Sequence, residues 1–135
     1  MLKAIITAGV IYTSLFDPST PRMQIALRQM VQDYATCAAY YDIKTRHLGI
    51  GADSYIRNLG GLVNAQYEGH RLEELSGLPL GSFDAKQTAM AGEMQKTLDN
   101  SGMNVLYVVY EEFCSIIRDN PGDAFIRRLP RRNSS

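Results

Sequence analysis

Tryptophan is absent from these 135 residues, histidine and cysteine occur twice each, and the net charge is zero. Each shortage excludes something. Fourteen basic residues balanced by fourteen acidic ones give no global electrostatic drive toward nucleic acid or a membrane surface. With two histidines, His47 and His70, and no HExxH pattern, a metal site lacks the ligands it needs. The two cysteines, Cys37 and Cys114, are far apart and form no CxxC, so neither a dithiol redox motif nor a zinc knuckle is present. No apolar run reaches the roughly 20 residues of a membrane-spanning helix. Hydrophobic residues at 45% and charged residues at 21% describe an ordinary folded domain, and the length allows one core.

Eight tyrosines and six methionines take the bulky positions instead. The first stretch, MLKAIITAGVIYTSLFDPSTP, carries one charge, Lys3, before Asp17. As a helix, Ala4 to Phe16 would rise about 20 Å, short of a hydrocarbon core of about 30 Å. Its length suits the hydrophobic region of an export signal, although no small-x-small cleavage pattern follows. Residues 1–17 therefore read as an uncleaved signal or anchor, as an ordinary buried element, or as an element inserted into a partner.

Beyond it the chain reads as an all-α single-domain bundle of about four helices over residues 20–121, with a basic tail over 122–135. Thr20 and Pro21 are a cap and a first-turn proline. Leu27, Met30, Tyr34, Cys37 and Tyr41 then recur at helical spacing until Gly49 and Gly51. Asp53 or Ser54 starts a second helix whose stripe runs through Ile56, Leu59, Val63, Tyr67 and His70, with Gly60 and Gly61 inside it. Gly77, Pro79 and Gly81 break the chain before Ser82 caps a third helix bearing Phe83, Met90, Met94 and Leu98. The DNSG stretch, 99–102, is a turn or a weak point. A last helix carries Leu106, Val109, Tyr110, Phe113, Cys114 and Ile117, and Asn120-Pro121-Gly122 stops it. The expected core is Leu27, Met30, Tyr34, Leu59, Val63, Met94, Leu106, Val109, Phe113 and Ile117.

Both cysteines fall within apolar stripes. If the first and last helices are neighbours, the sulfurs meet once the Cα atoms come within about 4.4–6.8 Å. The export-like start favours a Cys37–Cys114 bridge, because export supplies an oxidising compartment. Two unlinked buried thiols are the alternative. The helix holding Cys37-Ala38-Ala39-Tyr40-Tyr41, the polar helices after it and the closing YEEFCSII resemble small exported, disulfide-linked all-helical proteins of bacteria and their phages, over about residues 30–121. The resemblance implies an exported helical domain and carries no assigned activity.

Catalytic constellations are weak. Glu111 and Glu112 are adjacent, so on a helix they point about 100° apart and read as a solvated face. His70 reads as a boundary histidine, and Tyr34, Tyr40 and Tyr41 as packing residues with hydroxyls toward water. GIGADSYIRNLGG lacks the order and lysine of a phosphate loop. No catalytic, metal or cofactor residue is assigned, and no cofactor is expected. The sequence reads as a structural or interaction subunit of an envelope-, membrane- or virion-associated assembly, with other protein chains as partners. Membrane contact through residues 4–16 fits this reading, and specific nucleic acid does not. The contact candidates are Ile5, Ile6, Val10, Ile11, Leu15 and Phe16 at one end, and Arg127, Arg128, Arg131 and Arg132 at the other. The alternative is an exported periplasmic ligand-binding or enzymatic domain. Free cysteines would indicate a cytoplasmic protein.

Overall fold

A computed structural model describes residues 20–49, 51 and 53–131. The contact candidates Ile5, Ile6, Val10, Ile11, Leu15, Phe16 and Arg132 lie outside them. Among the described residues the chain is all helical: α1 (Pro21–Leu48), α2 (Tyr55–Ser76), α3 (Ser82–Ser101), α4 (Met103–Asp119) and α5 (Pro121–Arg128). Five helices thus replace the expected four.

Helix α1 is the axis, and each of the other four packs against it. Its start is the expected one, with Thr20 Oγ1 accepting from the Met23 amide and Pro21 in the first turn. Gly49, at φ 82°, ends it. The expected single stripe understates its burial. Ala35, Ala38, Ala39 and Tyr40 are as deeply buried as Leu27 and Met30, so the middle of the helix, from Met30 to Thr45, has no exposed face. Alanine makes this possible, because a short side chain lets a neighbouring helix approach from a second direction.

Helix α2 runs antiparallel to α1. Near its end, Gln24 Nε2 and Arg28 Nε of α1 donate to the Leu75 and Ser76 carbonyls at 3.1 and 3.0 Å, while nearer its start Gly61 meets the Tyr41 ring. These side-chain donors satisfy carbonyls that a helix C-terminus leaves open. The α2–α3 connection is organised by Glu73, not by the expected cap Ser82. Buried Glu73 accepts from the Gly81 and Phe83 amides at 3.2 and 2.6 Å, placing a carboxylate at the N-terminus of α3. Ser82 instead donates to the Pro79 carbonyl at 2.6 Å. Gly102, at φ 91°, separates α3 from α4, so the DNSG stretch is a helix break.

The basic tail is helical as far as Arg128. Pro121 does not merely stop α4; as a first-turn residue it opens α5, which buries Phe125 and Ala124. Arg128 Nε and Nη2 donate to both oxygens of buried Asp33 at 2.8 and 2.7 Å, and Arg22 Nε donates to the Pro130 carbonyl at 2.9 Å. Burial pushes the Asp33 carboxyl above its usual range despite the attached guanidinium.

One bond ties α1 to α4. Cys37 and Cys114 form a disulfide with a Cα–Cα distance of 5.5 Å. Leu27, Met30, Tyr34, Met94, Leu106 and Ile117 are buried as expected, and Phe113 is half-buried against them. Leu59, Val63 and Val109 depart from the expected core. Leu59 is half-buried, and the two valines are exposed.

Candidate interaction surface

The misplaced residues belong to a pattern. Helix α2 carries two interleaved stripes. Gly61, Ala65 and Gly69, with Leu72 and Ser76, face inward and are buried. A Cβ on Gly61 would lie 2.8 Å from the Tyr41 ring, so the inner stripe is small because aromatic rings press against it. The bulky stripe is left on the outside. Ile56, Val63 and Tyr67 are 74%, 58% and 57% exposed, and with Leu59, Gly60 and Asn64 they line a shallow groove of about 490 Å³. The spacing i, i+4, i+7, i+11 from Ile56 through Gly60 and Val63 to Tyr67 keeps this on one face. Both periodicities are in the sequence, and only the bulky one draws attention.

Helix α4 repeats the situation. Its buried residues are Leu106, Cys114 and Ile117, while Val105, Val108 and Val109 form an outer face on which Val108 is 79% exposed. The run VLYVVY, Val105 to Tyr110, is helical throughout, with its valines toward solvent. No described helix is long and apolar enough to cross a membrane.

Three of the arginines expected to form a contact arm, Arg127, Arg128 and Arg131, are among the described residues. Arg128 is held by Asp33, Arg127 pairs with Asp123 at 3.0 Å one turn away, and Arg131 is exposed beyond α5. Of these, Arg128 fastens α5 to α1 through Asp33, whereas the Arg127 pair lies within α5.

A polar cluster sits between α1 and α4. The Glu111 carboxylate accepts from Tyr40 Oη at 2.5 Å and from Lys44 Nζ at 2.7 Å, and Arg118 Nη1 donates to Tyr41 Oη at 3.1 Å. Lys44 Nζ also lies 5.6 Å from the ring centroids of Tyr40 and Tyr107. Glu111 is thus an internal anchor, while Glu112 is exposed as expected. The hydroxyls of Tyr40 and Tyr41 are likewise bonded inside the protein instead of facing water. Burial raises the Tyr40 hydroxyl far above its ordinary range, and its bond to Glu111 raises it further. Burial also pushes the Glu111 carboxyl up, but the bonds from Lys44 and Tyr40 and the Lys44 charge outweigh it, leaving the group below the usual carboxylate range. A carboxylate so stabilised is a poor general base. Folding favours its ionised form, so the unfolded chain binds more protons and stability rises with pH. This contribution is complete above the unfolded value of about 4.3 and is lost as pH falls through the lower folded value. Glu111→Gln is expected to lower stability at neutral pH and to flatten the acid limb, read as urea midpoints between about pH 6 and 2.

His70 is exposed, with Nε2 2.8 Å from Asp84 and its ring centroid 4.3 Å from that of Phe83. Among the described residues no group of three or more His, Cys, Asp or Glu side chains is placed to hold a metal ion. No protein-family model, characterised protein or solved structure matches the chain.

Proposed function

We propose that this chain is a structural or interaction subunit, without catalytic activity, of an envelope-, membrane- or virion-associated assembly. The observation that carries this reading is the division of labour on α2. Internal packing uses the glycine and alanine stripe, and a second, bulkier apolar stripe is left uncovered. A contiguous exposed apolar face suits an interaction site, and Gly60 leaves room on it for close approach. The valine face of α4 adds a second such surface. The Cys37–Cys114 bond is compatible with an oxidising, exported location, in keeping with the resemblance to small exported helical proteins.

The test uses the full chain in a bacterial host. The protein is expected in the envelope fraction, within a complex larger than its own 15.1 kDa. Ile56→Glu with Val63→Glu is expected to release it as a monomer with an unchanged melting temperature, because both side chains already face solvent. Deleting residues 1–16 is expected to shift its location or its partners. A cytosolic monomer, indifferent to these changes, overturns the reading. The alternative of an exported ligand-binding domain is favoured by one feature, a cavity beside α5.

A further inference from the structure

Where α1, α4 and α5 meet, the bundle encloses a half-open cavity of about 230 Å³. Its apolar wall is Phe113, Ile116 and Ile117, one side of α4, together with Ala124 of α5. Its polar groups are three, Asp33, Arg127 and Arg128. An engineered apolar cavity of about 150 Å³ accommodates benzene. This one therefore has room for a ring or branched chain with a small polar head.

The polar groups are arranged for an anion. Asp33 engages Nε and Nη2 of Arg128, so Nη1 stays outside the pair. A guanidinium held in plane by a buried carboxylate has already lost its rotamer freedom and presents its remaining edge at little further entropic cost. Arg127 is tethered by Asp123, a surface pair with both side chains more than half exposed. Such pairs contribute little, so Asp123 is readily exchanged for another carboxylate. On the cavity wall itself two guanidiniums, Arg127 and Arg128, stand against one carboxylate, Asp33.

We propose that this cavity binds a small monocarboxylate with a compact apolar body, the carboxylate on Arg128 Nη1 and Arg127 and the body against Phe113 and Ile116. Asp33 positions Arg128 and does not touch the ligand. The proposal stands independently of the assembly role, which rests on the outer faces of α2 and α4.

Amide NMR titration of the full chain provides the test, with benzoate as probe and benzyl alcohol as its neutral counterpart. Benzoate is expected to give saturable shifts centred on residues 113–117 and 124–128, with a dissociation constant on the order of 1 mM. The alcohol is expected to bind about tenfold more weakly, because it cannot form charge-assisted bonds to a guanidinium. Ile116→Trp, which fills the cavity, is expected to abolish the shifts, and Arg127→Ala to weaken benzoate severalfold without affecting the alcohol. Should Ile116→Trp fail to fold, the exposed Arg127→Ala variant decides alone. Absence of saturable benzoate shifts at tens of millimolar, equal affinity for the alcohol, or an Arg127→Ala variant that binds benzoate normally would each overturn the proposal.

Discussion

Reducing the Cys37–Cys114 bond is expected to lower the stability of the chain by about 4.5 kcal/mol. The figure follows from the loop. A cross-link spanning 77 residues removes conformational freedom mainly from the unfolded ensemble, and the chain-entropy relation gives roughly this value at 25 °C. A domain of this size has about 5–15 kcal/mol in all, so the bond accounts for a large share of it. The bond also joins α1 to α4 a short way from the Glu111 cluster, so its loss should loosen both. Cys37→Ala and Cys114→Ala are expected to destabilise about equally, and the double variant little more than either, since all three lose the same bond. Thermal melts with and without reductant read the effect. Thiol counting on unfolded, unreduced protein should find none. Two thiols, or three variants whose effects add, would show that the native protein does not depend on the bridge.

The bridge was foreshadowed by two cysteines lying in apolar stripes, and α1 by its cap, proline and terminal glycine. These are local signals, and local chemistry decides them. Which stripe of α2 faces inward is not local. Ile56–Val63–Tyr67 and Gly61–Ala65–Gly69 are equally regular, and the choice depends on what the neighbours bring. Tyr41 and Phe83 bring large rings, which fit only against glycine. Similarly, Glu111 and Glu112 are indistinguishable until Tyr40 and Lys44 are placed opposite one of them. Asn120-Pro121-Gly122 reads as a stop, and the helix after it goes unseen, for a different reason. Proline ends one helix and begins the next with the same ring, and only the burial of Phe125 and the reach of Arg128 to Asp33 show that a helix follows. The apolar stripes of α2 and α4 are legible in the sequence, but that part of each is left uncovered is visible only in the packing.

The same substitution at two glycines of α2 is expected to have opposite signs. In a helix interior, Gly→Ala ordinarily gains up to about 1 kcal/mol through reduced unfolded-state entropy and better helix propensity. At Gly60 a new Cβ meets nothing within 4 Å, so Gly60→Ala is expected to stabilise the isolated chain by about that amount. At Gly69 the new Cβ would fall within the van der Waals envelope of the Phe83 ring. That ring is fully buried, with the His70 imidazole beside it and its own amide held by Glu73, so it has little room to retreat. Gly69→Ala is therefore expected to cost about 1–3 kcal/mol, the usual range for overpacking a filled core. Phe83→Ala is expected to cost about 3–5 kcal/mol, the lost transfer energy plus the cavity left behind. The two changes are coupled through one contact. In the Phe83→Ala background the clash is gone, so adding Gly69→Ala should recover up to about 1 kcal/mol instead of costing more. Guanidinium unfolding midpoints of the four proteins measure the cycle. Additive losses, or a Gly69→Ala variant as stable as the parent, would mean that the ring is free to move and that α2 is not fixed by the fit of Phe83 against Gly69.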